Sequence, residues 1–334
     1  MKKFAFFNNK GGVGKTTLVY HVAHMMVESG QRVLLLDLDP QSNLTAMCVS
    51  EDRLEDLWPD RSEHPQTILG CVRPIIRGIG DIRPPHLESL REGLGIVPGD
   101  LGLSTFEDKL SDAWPRAMDR DEAAFRTLSA FHRVADLAAQ DHAADVVFFD
   151  VGPNLGAINR AALLGADFVV TPLAPDLFSM QGLRNLGPTL IDWRRGWSER
   201  LSRWKDPELP LPVGDMTPLG YVIMQAAMRL SRPVKAYAKW VGKIPGEYHE
   251  SVLRDGGSLL PADQDPFCLG IMKNYQSLMP LAHDARKPIF QLRPADGAIG
   301  AAMDAVGHCR TDFEQLCQAI LRRADTLVGS RRTE

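Results

Sequence analysis

The chain has 334 residues, of which 44% are apolar and 24% are charged, and its formal net charge is −4. This composition indicates a globular protein with a large core. It excludes a protein that binds nucleic acid over its whole surface, because such a protein would be basic. No apolar run reaches the ~18 residues of a membrane span, and the five cysteines include no C-x-x-C pair, so we expect neither a membrane segment nor a zinc or disulfide framework.

Short apolar runs alternate with helical stretches along the chain. Strands are predicted at residues 3–7, 32–39, 145–150, 167–173, 219–224 and 268–272, and helices at 16–29, 121–140, 179–193, 233–241 and 298–327. Near-continuous apolar runs such as RVLLLDLD suit strands that are buried on both faces of a parallel sheet. We therefore predict an α/β fold with a doubly wound, mostly parallel sheet and helices on both faces.

Three segments interrupt this alternation. Residues 51–120 are rich in proline, glycine and charge, and within them only GIVPG resembles a strand. Residues 194–217 and 243–267 are polar connections that contain several prolines. We interpret the chain as one domain over residues 1–334 with insertions at about these three positions.

The segment NNKGGVGKTT at residues 8–17 lies between the first predicted strand and the first predicted helix. A strand, a glycine-rich turn and a helix in this order indicate a phosphate-binding loop, in which backbone N–H groups at a helix N-terminus surround an anion. Lys15 would reach the β- and γ-phosphates, and the Thr16 hydroxyl would coordinate Mg²⁺. The candidate nucleotide-binding residues of this loop are Gly11, Gly12, Val13, Gly14, Lys15, Thr16 and Thr17.

The start of this loop departs from the standard nucleotide pattern, because Asn9 replaces the first glycine and a second lysine, Lys10, follows it. KGGVGKT resembles the deviant Walker A motif of the ParA/MinD family of P-loop ATPases. The resemblance implies that Lys10 crosses a homodimer interface and contacts the ATP of the other subunit, as an arginine finger acts in trans. Outside such a motif, a lysine at this place would be an ordinary solvated loop residue.

Two further stretches resemble this family. DLDPQSNLT resembles its D-x-D-P-Q-x-N motif, which implies that Asp39 positions the attacking water and that Asp37 supports the Mg²⁺ shell. DVVFFDVGPNLG resembles its Walker B strand, which implies that Asp150 holds Mg²⁺ through water. Gly152 replaces a proline of the family pattern here, so the geometry of this turn is open. The predicted metal set is therefore Thr16, Asp37, Asp39 and Asp150, and an aspartate before Pro40 is otherwise a common turn residue.

The stretch at residues 271–292 loosely resembles the family segment that passes the adenine base. This match predicts adenine contacts from residues that follow two strands, namely Met224, Gln225, Lys273 and Asn274.

Basic residues spaced three or four apart form one face of a predicted helix near residue 240. They are Arg232, Lys235, Lys239 and Lys243. Such a stripe could contact DNA phosphates in a salt-dependent way, or it could be an ordinary solvated helix face. A second basic segment, WRRGW at residues 193–197, alternates arginine with tryptophan and could equally pack locally.

Taken together, the motifs favour an ATP-binding and ATP-hydrolysing ParA-like switch that forms a nucleotide-sandwich homodimer and serves DNA partitioning or cargo positioning. The resemblance implies slow hydrolysis that a ParB-like or other partner stimulates, non-specific DNA binding, and a cytoplasmic, nucleoid-associated location. One alternative is a nucleotide-gated protein-interaction switch of a mobile-element or phage-defence system without DNA binding. Another is a metabolic P-loop enzyme, for which the sequence offers no substrate motif.

Overall fold

The computed structural model describes residues 1–60, 63–224, 234–257, 260–273 and 275–331. The strands are β1 (Lys2–Phe6), β2 (Val33–Asp37), β3 (Glu88–Arg91), β4 (Leu94–Val97), β5 (Val146–Asp150), β6 (Phe168–Leu173), β7 (Thr217–Met224) and β8 (Cys268–Met272). The helices are α1 (Lys15–Glu28), α2 (Asn43–Cys48), α3 (Glu51–Leu57), α4 (Ile68–Arg77), α5 (Glu107–Arg116), α6 (Glu122–Leu128), α7 (Ala130–His142), α8 (Ala157–Leu164), α9 (Leu177–Leu201), α10 (Val234–Val241), α11 (Ile244–Tyr248), α12 (Met279–Ala285) and α13 (Ala301–Arg331).

The strands form an eight-stranded sheet in the order β3-β4-β2-β5-β1-β6-β7-β8. β1 and β2 both pair in parallel with β5, β2 pairs in parallel with β4, and β7 pairs in parallel with β8, whereas β3 runs antiparallel to β4. Every residue of β2 and of β5 is buried, as their continuous apolar runs require. The predicted α/β class with a mostly parallel sheet is confirmed.

The chain divides into two compact units. The first contains Met1–Asn9, Val27–Val169 and Thr189–Thr217, and the second contains Lys10–Met26, Val170–Pro188 and Pro218–Glu334. Aromatic contacts contribute to the core of the first unit, where Phe148 packs edge-to-face with Phe4 and with Phe6 at centroid distances of 5.8 and 5.2 Å. In the second unit, Tyr221 and Tyr248 pack against each other at 5.0 Å. The single-domain organisation with insertions stays a prediction.

Two predicted helices differ from the structure. The helix predicted at 121–140 is two helices, α6 and α7, because the chain breaks at Ser129, where φ is −90° and ψ is 0°. The helix predicted at 179–193 is the longer α9, which continues through Pro188 to Leu201. Its last turns are held by tertiary contacts, since Trp197 is buried and donates its indole N–H to the Pro212 carbonyl at 2.8 Å.

Residues 51–120 contain more regular structure than their composition predicts. α3, α4, β3, β4 and α5 lie within this range, and β4 extends the sheet beside β2. The GIVPG stretch does contribute a strand, as predicted, but the neighbouring β3 and the helices were not expected. Gly78 ends α4 with φ of 67°, whereas Pro74 and Pro115 lie inside α4 and α5, so the prolines of this range do not all interrupt regular structure.

Within the described residues, no helix is both long enough and apolar enough to cross a bilayer. All five cysteines are free thiols.

Candidate functional site

The phosphate loop follows β1 in the chain and leads into α1, which begins at Lys15. Gly12 and Gly14 adopt left-handed conformations, with φ of 72° and 85°, which side chains with a Cβ rarely adopt. The first helical hydrogen bond joins the Leu18 N–H to the Gly14 carbonyl at 2.9 Å, so the N–H groups that precede Leu18 are not used by the helix ladder. A glycine-rich turn in this conformation at a helix N-terminus can surround a phosphate group.

A cavity of about 250 Å³ opens next to this loop within the second unit. The residues that line the cavity include Gly12, Gly14 and Thr17 of the loop and helix α1, together with Met224 and Lys273. The structure therefore brings two of the predicted adenine-contact residues to the same cavity as the phosphate loop. Two other predicted contacts, Gln225 and Asn274, lie outside the described residues.

His21 is a buried residue of this cavity that the sequence reasoning missed. Its Nδ1 lies 2.7 Å from the Thr17 carbonyl, and its Nε2 accepts the Ile289 N–H at 3.0 Å. The ring also stacks on Phe313, with centroids 5.0 Å apart. Burial lowers the pKa of His21 to about 4, although the hydrogen bond to Thr17 opposes this shift. These bonds require a neutral imidazole that donates from Nδ1, and they tie α1 to the chain near residue 289.

The carboxylates predicted to support Mg²⁺ lie in the first unit at the ends of two adjacent strands. Asp37 and Asp150 end β2 and β5 and stand opposite each other in the parallel register. Both are fully buried, and Asp39, two residues beyond Asp37, is nearly so. Burial, followed by the charge of Asp150 and to a smaller extent that of Asp39, raises the pKa of Asp37 to about 7.

Thr45 and Gly99 fix the orientation of Asp37. Its Oδ2 accepts the Thr45 N–H at 2.8 Å and the Thr45 hydroxyl at 2.7 Å, and that hydroxyl accepts the Gly99 N–H at 2.7 Å. A Cβ on Gly99 would lie 2.7 Å from the Asp37 carboxylate, so only glycine fits. The other carboxylate oxygen of Asp37 has no hydrogen-bond partner among the described residues. Sequence reasoning missed this support, although Thr45 ends the quoted DLDPQSNLT motif.

Oxygen donors of this kind fit Mg²⁺, which keeps several waters and uses one or two carboxylates together with substrate phosphates. In the described part of the chain, no group of three or more His, Cys, Asp or Glu side chains has the arrangement of a metal site formed by protein ligands alone. The chemistry of these oxygen donors fits a magnesium ion that arrives with the nucleotide.

The turn after β5, where glycine replaces a family proline, approaches Asp39. A Cβ on Gly152 would lie 3.5 Å from Asp39 Oδ1, which is ordinary van der Waals contact. Asn159 fixes this turn, because its side-chain amide donates to the Gly152 carbonyl at 2.8 Å. Asp39 in turn accepts the Gln41 N–H at 2.9 Å, which orients its carboxylate.

Lys10 at the edge of the phosphate loop forms an ion pair within its own unit. Its ammonium group binds Asp176 Oδ2 and lies 5.8 Å from the centroid of the Phe178 ring. Burial by itself would raise the pKa of the Asp176 carboxyl. Hydrogen bonds from Lys10 and from the Ser179 backbone outweigh burial and hold this pKa below its usual range. Sequence reasoning did not identify Asp176, because it lies 166 residues from Lys10.

The predicted basic stripe is described only in part. Lys239 in α10 and Lys243 just after it are exposed, and their ammonium groups lie 5.8 and 5.4 Å from the ring centroid of Trp240. Lys235 belongs to α10, but its side chain is outside the described part of the structure, and Arg232 lies outside the described residues altogether. The structure thus places two of the four basic residues on an exposed surface around a tryptophan.

Comparisons with known proteins identify the family to which this phosphate loop and parallel sheet belong. A family model described as an AAA domain, AAA_31, matches residues 1–201. The chain belongs to this family of ParA/MinD-type P-loop proteins. It is 32% identical over 187 residues to the virulence plasmid ParA family protein pGP5-D of Chlamydia psittaci, covering 56% of this chain and 62% of that protein. It is also 28% identical over 202 residues to the chromosome-partitioning ATPase Soj of Thermus thermophilus, covering 60% of this chain and 66% of that protein.

The crystal structure of protein DIP2308 from Corynebacterium diphtheriae is similar over almost the whole length. It has a TM-score of 0.67 and 26% sequence identity, and the match covers 97% of this chain and 99% of that one. By contrast, the chain spans less than two thirds of the length of the two ParA-type relatives. The family membership predicted from KGGVGKT is therefore confirmed, and the family match over residues 1–201 includes the phosphate loop.

Proposed function

We propose that this protein is a ParA-like molecular switch that binds and hydrolyses ATP and forms a nucleotide-sandwich homodimer. The observation that carries the proposal is the phosphate loop, in which two left-handed glycines precede α1 and a second lysine, Lys10, stands at the loop's edge. The ParA family protein of a virulence plasmid and the partitioning ATPase among its relatives support a role in DNA, plasmid or chromosome partitioning, or in cargo positioning.

Each predicted residue has a proposed task in this activity. Lys15 binds the terminal phosphates, and Lys10 neutralises charge on the nucleotide of the second copy. Asp39 orients the attacking water, while Thr16, Asp37 and Asp150 serve the magnesium shell. Magnesium, when bound, neutralises phosphate charge during hydrolysis. Burial of Asp37 and its bonds to Thr45 limit the positions that its carboxylate can take.

The proposed cargo is DNA, bound without sequence preference. Lys239 and Lys243 are exposed cations that can contact phosphates, and Trp240 between them offers a flat apolar surface. An activating partner of the ParB kind would stimulate a slow basal hydrolysis. This activity places the protein in the cytoplasm, on the nucleoid while ATP is bound.

A second candidate is a nucleotide-gated switch that binds another protein and no DNA. The hydrogen-bonded path from Asp37 through Thr45 to Gly99 favours it, because the Gly99 carbonyl accepts the indole N–H of Trp58 at 3.0 Å. Trp58 follows α3 as its C-cap residue and is half-buried, so the position of a nucleotide-site carboxylate is connected to the surface of residues 51–60. A docking protein on that surface could sense the nucleotide state.

Analytical ultracentrifugation distinguishes the candidates. The wild type, Lys10→Ala and Lys109→Ala are compared with ATP, ADP and a slowly hydrolysed ATP analogue, with and without random-sequence DNA at two salt concentrations. Lys109 is an exposed lysine of α5 and serves as the matched control. DNA binding that needs ATP and is lost only in Lys10→Ala supports the partitioning switch. An ATP-dependent dimer without DNA binding supports the second candidate, and a monomer in every nucleotide state contradicts both.

A further inference from the structure

The ion pair between Lys10 and Asp176 gives the proposed homodimer a competing contact within each chain. Lys10 can neutralise a second copy's nucleotide only if its ammonium leaves Asp176, because a lysine ammonium is a compact charge at the end of one flexible stem. The exposed fractions of the two side chains, 26% for Lys10 and 21% for Asp176, mean that this contact can open without unfolding its surroundings.

Asp176 is itself held firmly. It precedes α9, and its Oδ1 accepts the Ser179 N–H at 2.9 Å, which caps the start of this 25-residue helix. Its Oδ2 faces Lys10, so the two oxygens of one carboxylate perform separate tasks. The ring of Phe178, 71% exposed, adds a second contact to the Lys10 ammonium.

We propose that Asp176 is a positioning residue that retains Lys10 on its own chain and thereby weakens dimerisation until triphosphate is bound in a second copy. A triphosphate carries more negative charge than one carboxylate, so it can take the ammonium from Asp176 in the dimer. Breaking the intramolecular contact is then part of the free energy of association, and it disfavours a dimer of the nucleotide-free chain. This inference rests on the sandwich dimer of the proposed function.

Asp176→Asn separates the two tasks of the carboxylate. Asparagine is as good a helix N-cap as aspartate and keeps the acceptor for the Ser179 N–H, but it removes the charge that binds Lys10. With the slowly hydrolysed ATP analogue, we expect the dimer dissociation constant to fall about fivefold, because one symmetric dimer releases two partly exposed ion pairs and each accounts for a factor of about two. The difference from wild type should shrink at high salt, because salt screens the contact.

The matched control is Asp192→Asn, which removes an exposed carboxylate from the same helix. Its dimer constant should equal that of the wild type, and the melting temperature of both variants should stay within about 2 °C of the wild-type value, because a partly exposed ion pair contributes little to stability. The double variant Lys10→Ala/Asp176→Asn should stay as monomeric as Lys10→Ala, because the effect of Asp176 operates through Lys10.

Equal dimer constants in wild type and Asp176→Asn overturn the inference, even when the wild-type dimer depends on Lys10 and ATP. A double variant that dimerises also overturns it, because Asp176 would then act by general charge repulsion. If wild type and Asp176→Asn are both monomeric with every nucleotide, the sandwich dimer of the proposed function fails as well.

Discussion

Acidification is expected to destabilise this protein through His21. In the folded protein the His21 ring is neutral, and burial lowers the pKa of this ring from 6.5 to about 4. The unfolded state therefore binds the proton more readily, so the contribution of His21 is complete above pH 6.5 and is lost as the pH falls towards 4. From these two values, the loss between pH 7.5 and pH 5 is about 2 kcal/mol of unfolding free energy.

Urea denaturation at pH 7.5, 6.5, 5.5 and 5 measures this loss, with His21→Phe as the reference. Phenylalanine can keep the stacking on Phe313 but does not titrate, so other ionisable groups such as His132 cancel in the difference between the two proteins. The advantage of wild type over His21→Phe should shrink by about 2 kcal/mol across this range. A difference that stays constant from pH 7.5 to pH 5 would refute the assigned neutral ring and its hydrogen bonds.

Three further predictions test the support of the aspartates and the basic surface. Thr45→Val removes the hydroxyl that joins Asp37 to Gly99 and should lower the unfolding free energy, measured by urea denaturation, by about 3 kcal/mol. Thr45→Ser keeps this hydroxyl and should lower the unfolding free energy by only about 1 kcal/mol. Gly99→Ala should cost about 1–3 kcal/mol in the same assay and reduce ATP turnover, because its Cβ would displace the Asp37 carboxylate. Replacing Lys239 and Lys243 by alanine should reduce the slope of log affinity for DNA against log salt by about 2 and leave stability unchanged.

Each of these predictions has a contradicting outcome. Equal stability of Thr45→Val and Thr45→Ser would show that the Thr45 hydroxyl does not bridge Asp37 and the Gly99 N–H by hydrogen bonds. Full ATP turnover in Gly99→Ala would mean that the position of Asp37 is not critical for hydrolysis. An unchanged salt slope in the double lysine variant would remove α10 from the DNA-binding surface.

Much of the central sheet and its phosphate loop could be predicted because the sequence signals there are local. β2 and β5 are continuous apolar runs, and GKTT stands between a strand and a helix, so a short window of residues contains the information. The strand boundaries agree with the structure to within about two residues, which is the usual uncertainty of such ends.

Long-range contacts explain what the sequence did not reveal. α9 continues past Pro188 because Trp197 and Arg200 are buried near its end, and Arg200 donates to the Trp114 carbonyl at 2.7 Å. The partner of Lys10 could not be found by spacing, because helix and strand periodicity relate only residues that are close in the chain. The support of Asp37 by Gly99 is hidden for the same reason, since it depends on how β4 pairs with β2.

The close approach of Gly99 to Asp37 has a consequence for attempts to shorten this protein. Residues 51–120 carry no family motif, which makes them an obvious target for deletion in a minimal version. Deleting them would nevertheless strip a parallel neighbour from β2 and uncover a carboxylate that is now sealed from water. A trimmed chain would thus lose the burial of Asp37 together with its sheet edge, even though every motif residue had been retained.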